Sequence, residues 1–268
     1  MKTISYYFLW VVLILCASCQ LKLIPNTENE EGGKVEILRY DRVESLYLTT
    51  GDFSALQQME TNYPMETRTL IENILKLGSM DTPEINNKFL AFFQDSTLQV
   101  IISDAEAQYA NMDDINRDLK SAFEKLKQNV PGIPTPRFYA QITALDQSIV
   151  VGDGSVGISL DKYLGEDYPL YKKYYSAQQR QSMTRNHIVP DCICFYLLSI
   201  YRMSNFEDHS QLERDLHMGK VMWVSNLATG KQFFQTKYTK MIDNYMKKNP
   251  KYTVEQLLKL DDYTKITE

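Results

Sequence analysis

Residues Val150–Ser155 read VVGDGS and Pro190–Met203 read PDCICFYLLSIYRM. Between them runs a tyrosine-rich segment, LDKYLGEDYPLYKKYY, at Leu160–Tyr175. The Asp153-Gly154 pair supplies the positive φ angles of a tight turn, so Gln147–Val151 and Ser155–Leu160 are expected to form a β-hairpin. Pro190 fits the first turn of a helix over Asp191–Met203, about 20 Å long, which is apolar on nearly every side and so belongs in the core. Just upstream, Arg137–Ala144 (RFYAQITA) alternates like a strand, with Phe138, Ala140, Ile142 and Ala144 on one face. These elements imply an α+β fold: a small mixed sheet with a hairpin, packed on a central buried helix and surrounded by further helices.

Outward from this centre the pattern is mostly helical. Ile115, Leu119, Ala122, Phe123 and Leu126 mark one stripe of a helix over Asp113–Val130, stopped by the Pro131–Pro136 segment. Leu70, Ile74, Leu75 and Leu77 repeat at helical spacing, with Gly78 placed to end that helix. Thr82-Pro83-Glu84 opens another helix, carrying Phe89 to Phe93. Leu98–Ile102 is expected as a short buried strand, and Val35–Arg42 as a strand or entry segment. Helices are expected over His209–Val221 and Thr229–Lys248, and Thr253 and Gln256 have capping-box spacing ahead of Leu257.

The amino terminus reads as an export signal. Lys2 precedes an apolar run, Tyr6–Leu15, too short to span a bilayer, and Ala17-Ser18-Cys19 follows. Residues 1–18 are thus expected to be a lipoprotein signal peptide and Cys19 the acylated residue, with residues 19–34 a flexible polar tether and residues 35–268 one domain. Export and a lipid anchor place the protein in the cell envelope, at the outer membrane. The formal net charge of −5 argues against nucleic acid as a partner. After loss of Cys16 and acylation of Cys19, the thiols left are Cys192 and Cys194, which cannot form a disulfide framework.

Several patterns could carry chemistry, and each has a plainer reading. Cys192 and Cys194, two positions apart on a helix, point about 200° from one another and are expected as small apolar core residues. His209, Glu213 and His217 repeat at i, i+4 and i+8, but the outer two are about 12 Å apart along a helix and cannot share one tetrahedral ion. Asp161, Glu166 and Asp167 have no defined catalytic spacing. No metal or cofactor site is expected.

The blocks Leu160–Tyr171 (LDKYLGEDYPLY) and Ile188–Cys192 (IVPDC) resemble the gliding-motility lipoprotein GldB family of Bacteroidetes. Arg39-Tyr40-Asp41, Gly219-Lys220 and Tyr245–Pro250 (YMKKNP) echo it as well, so that the similarity covers most of residues 36–268. The resemblance implies a fold similar to zincin metallopeptidases and an accessory role in gliding motility and its linked secretion apparatus. A zincin needs two histidines one helical turn apart with a glutamate beside the first. The corresponding helix reads Asp191-Cys192-Ile193-Cys194, and His187 lies before Pro190, which is expected to keep His187 and Asp191 off a common helical turn. The expectation is therefore a non-catalytic envelope lipoprotein that works by protein contact. Its partner would be an envelope protein or an extended peptide, in a groove bordered by Ile158, Leu160, Tyr163, Tyr168, Tyr171 and Tyr174. The alternatives are a metallopeptidase-like hydrolase with a degenerate site and an envelope glycan-binding module using the tyrosines.

Overall fold

The computed structural model describes residues 35–152 and 154–267. The signal peptide, the tether, Cys19 and Asp153 of the hairpin turn lie outside the described residues. Lys34–Glu268 forms one unit.

A two-residue strand, β1 (Ile37–Leu38), leads into α1 (Tyr40–Thr50), which Gly51 ends at a φ of +70°. Helix α2 (Phe53–Asn62) starts where the Asp52 carboxylate accepts from the Ser54 and Ala55 amides. Helix α3 (Pro64–Arg68) continues into a π-helical stretch, Thr69–Ile74. That helix stops before Gly78, because the chain turns at Lys76, whose φ is +54°. Helix α4 (Ile85–Phe92) follows the Thr82-Pro83-Glu84 lead-in. The segment expected as a strand at Leu98–Ile102 is instead part of α5 (Ser96–Gln108). Asp95 caps α5 by accepting from Thr97 and Leu98, and Ile101, Ile102 and Ala105 bury one helical stripe. The cap and the 3.6-residue stripe override the β preference of the branched residues. Helix α6 (Asp113–Asn129) buries the expected five residues, Ile115 to Leu126.

Strands β2 (Arg137–Gln141), β3 (Ile149–Gly152) and β4 (Ser155–Ser159) join β1 in a four-stranded sheet, ordered β1-β2-β4-β3. The β3–β4 hairpin forms as the Asp-Gly signal requires, with Gly154 at a φ of +72°. β4 pairs in parallel with β2, and β2 with β1. β2 stops at Gln141, short of Ala144, and is buried on both faces rather than one, since a parallel strand inside a sheet is covered on both sides.

Beyond the sheet come α7 (Pro169–Tyr174), α8 (Ala177–Arg180) and α9 (Ile188–Ile200). Helix α9 starts three residues earlier than expected. Pro190 is its third residue, where a missing N–H costs nothing, and His187 is its N-cap residue. It is not buried all round: Phe195 and Ile200 are exposed. Helix α10 (Gln211–Thr229) is longer than expected, capped at Ser210 and closed by Gly230. Helix α11 (Lys237–Lys248) begins at its Thr236 cap. The expected capping box at Thr253 and Gln256 opens α12 (Val254–Leu258), and α13 (Thr264–Thr267) ends the chain.

The sheet has two unlike faces. Phe138 and Ala140 of β2, Val156 and Ile158 of β4, and Ile149 of β3 are buried toward α6 and α9. There Phe123 of α6 lies 5.2 Å from Phe138 and 5.7 Å from Tyr196 of α9, ring to ring. The alternate residues Tyr139, Gln141, Gly157 and Ser159 face α1, where Tyr139 meets Tyr40 at 6.3 Å. Gly157 is required on that face: a Cβ would sit 2.5 Å from the Tyr139 ring.

Candidate functional site

The six residues expected to border a groove do not do so together. β4 is hydrogen-bonded to β2 on one edge and β3 on the other, so no peptide can add to it. Ile158, Leu160, Tyr163 and Tyr171 are buried in the core. Tyr163 accepts from the Tyr109 hydroxyl through its carbonyl at 2.5 Å and donates its own hydroxyl to Asp191 at 2.8 Å. The Tyr171 hydroxyl donates to the Asp161 carbonyl and accepts from the Leu164 amide. These rings fix the loop between β4 and α7 against the core, which is why the block is so aromatic. The hairpin strand is thus the middle of the sheet, while part of the tyrosine segment does reach a groove.

That groove is an open, mainly apolar depression between α5 and α7, lined by Thr97, Val100, Asp104, Tyr168, Leu170 and Lys173. Val100 is exposed, and the Tyr168 hydroxyl donates to Asp104 at 2.8 Å. Tyr174 is exposed at the end of α7, its ring 5.1 Å from the Lys173 ammonium. The sequence pattern assigns Val100 to a buried strand, whereas α5 turns it to the surface, so this wall of the groove is not legible in the sequence.

The metal readings resolve into separate contacts. Cys192 and Cys194 are buried free thiols on α9, both pushed up by burial. Burial also holds Asp191 up, at about 7, although the Tyr163 hydroxyl pulls the other way. The His187 ring bonds Thr184 at 2.9 Å and packs edge-on against Phe233. His209 precedes α10 rather than lying on it and pairs with Glu213 at 3.6 Å. His217 is buried, its Nδ1 2.8 Å from the Tyr263 hydroxyl, and burial lowers it to about 4. Among the described residues no three His, Cys, Asp or Glu side chains are placed to hold a metal ion.

Asp161, Glu166 and Asp167 also part company. Asp161 is buried and accepts from the Thr143 and Leu145 amides at 3.1 and 2.6 Å. It thereby holds Ala144 and Leu145 at φ values of +51° and +65°, which side chains other than glycine seldom adopt. Glu166 and Asp167 are exposed, Asp167 pairing with Lys172 at 2.9 Å.

The sequence reading missed the polar layer beneath α1. Arg137 pairs there with Glu66, and Arg39 holds Asp41 in a two-bonded pair. Glu44 is fully buried and accepts from the Ile142 amide at 2.9 Å through Oε2. Glu44 Oε1, Ser45 Oγ, both amide atoms of Gln141 and Ser159 Oγ have no protein hydrogen-bond partner among the described residues. A glutamate on a helix and a glutamine on a strand look solvent-facing in sequence, and only the packing of α1 on the sheet encloses them.

No helix among the described residues is long and apolar enough to cross a membrane. Neither the curated proteins nor the solved structures searched gave a match. A profile of the gliding motility protein GldB matches residues 22–237, which takes in the sheet, the tyrosine block and α1 to α10 but stops short of the Tyr245–Pro250 echo. A match over that share of the sequence shows that the chain belongs to the gliding motility protein GldB family, a family of lipoproteins of the cell envelope.

Proposed function

We propose that this chain is a non-catalytic lipoprotein, anchored through Cys19 at the outer membrane, that acts by protein contact within a motility or secretion-type assembly. In this reading it is a zincin-like pseudoenzyme whose α9 has been given over to packing. The observation that supports it is the chemistry of α9. Where a zincin needs two imidazoles and a glutamate, this helix presents Asp191, tied to the Tyr163 hydroxyl, and the buried thiols Cys192 and Cys194, which point apart. Such a set offers neither a converging donor group nor a base beside a metal-bound water.

The surface best suited to contact is the α5–α7 groove, where Val100, Leu170 and the Tyr168 ring offer apolar area beside Lys173. An extended segment of an envelope protein is the partner it suits. Crosslinking in the native envelope, with a photoreactive residue at position 100, is expected to capture a protein neighbour, and Tyr168→Ala to weaken the capture. Stoichiometric zinc in the purified protein together with chelator-sensitive proteolysis would falsify the non-catalytic reading. Capture of glycan alone would replace the protein partner by a carbohydrate.

A further inference from the structure

We propose that the polar face of the sheet holds one hard, oxygen-ligated cation of the calcium type, between Glu44 of α1 and the carboxyl ends of β2 and β4. Among the described residues, Glu44, Gln141 and Ser159 each carry a buried side-chain oxygen without a protein partner there. Gln141 and Ser159 are register partners on adjacent parallel strands, so their side chains leave the sheet side by side and on the same face. That face is α1's, because it is the face of Tyr139, which packs on Tyr40, and of Gly157, whose missing Cβ makes room for the Tyr139 ring. Glu44 stands over the same ends, since its Oε2 accepts from the amide of Ile142, the residue after Gln141.

Glu44, Gln141 and Ser159 are each 0% exposed. A buried polar atom without a partner is costly, and a charged one more so, so three such oxygens, Glu44 Oε1, Gln141 Oε1 and Ser159 Oγ, call for an occupant. The charge balance gives its sign. Asp41 is neutralised by Arg39 and Glu66 by Arg137, and Lys162 lies beside Asp161. Among the described residues no cationic side chain bonds Glu44. Burial first, then the charges of Asp161 and Asp41, push its carboxyl well above the usual range, against the pull of the Ile142 amide. Carboxylate and amide carbonyl oxygens are what calcium takes, with water completing its usual set of about six to eight ligands, and calcium tolerates irregular geometry where magnesium demands an octahedron. With few carboxylates, affinity falls in the range of extracellular modules, about 10⁻⁴–10⁻³ M.

The test is thermal unfolding of the purified protein in chelator, then in CaCl2, MgCl2, NaCl or KCl at matched ionic strength. At a hundredfold excess over its dissociation constant, calcium is expected to raise Tm by about 5–10 °C. Glu44→Gln and Gln141→Leu should each abolish the shift, and the exposed control Glu124→Gln should keep it. If Glu44→Gln does not fold, Ser159→Ala removes one oxygen without touching charge and should weaken calcium binding in a titration. An equal Tm in all five solutions overturns the proposal, as does a calcium shift that Glu44→Gln retains. A shift from sodium or potassium alone overturns the divalent assignment.

Discussion

The two faces of the same four-stranded sheet are built on opposite principles. Toward α6 and α9 the strands present Phe138, Ala140, Val156 and Ile158 to aromatic rings and aliphatic side chains. Toward α1 they present Tyr139, Gln141 and Ser159 to Tyr40 and Glu44. Both faces are shut off from solvent. The first gains stability from every atom it buries, whereas the second gives some up by enclosing polar atoms that the protein does not pair. Stability is therefore gathered on one surface and partly given up on another a strand's thickness away.

The contrast can be tested by substitution. The largest effect is expected from Phe138→Ala on the apolar face: chemical denaturation should show a loss of about 3–5 kcal/mol. Gly157→Ala comes next, since the added methyl meets the Tyr139 ring, and overpacking of this kind costs about 1–3 kcal/mol. A loss below about 1 kcal/mol would show that α1 and Tyr139 yield to the added methyl and that the polar face is soft.

Asp191 is the acid on the α9 side. Its value near 7 in the folded chain exceeds the ordinary 3.8, so the folded state holds this proton more tightly than the unfolded state does. Its stabilising contribution is complete below about pH 4, declines as pH rises toward 7, and changes no further above that. The decline is on the order of 2 kcal/mol once solvent at its partly open rim is allowed for, and Asp191→Asn should flatten that limb of a stability–pH curve. The smallest effect is expected from Gln141→Leu, measured in chelator. Both its amide atoms lack protein partners and the substitution removes them, so stability should rise, by about 1 kcal/mol.

What could be read in the sequence was whatever depends on local order. The Asp-Gly hairpin, the α6 stripe from Ile115 to Leu126 and the Thr253 capping box all formed where the pattern put them. The LDxYLG block led to the family, which the profile match then showed. What could not be read depends on which strands become neighbours. Alternation along RFYAQITA assigns Gln141 the face opposite Phe138, but it cannot say that α1 will cover that face. Nor could spacing reveal that β3 would take the sheet edge and leave β4 inside, and that pairing is what dissolved the expected groove. At Leu98–Ile102 the composition favours a strand, and the Asp95 cap three residues earlier decides otherwise.

The buried ammonium of Lys220 donates to the Leu260 carbonyl at 2.7 Å and lies 5.2 Å from the Tyr263 ring, and desolvation lowers it to about 8. Both contacts come from beyond residue 237, where the family match ends. The last helices therefore work as a stopper over α10, and trimming the gene to the matched portion would uncork Lys220 and His217 by removing Leu260 and Tyr263. Expression versions should keep the chain at least through Tyr263.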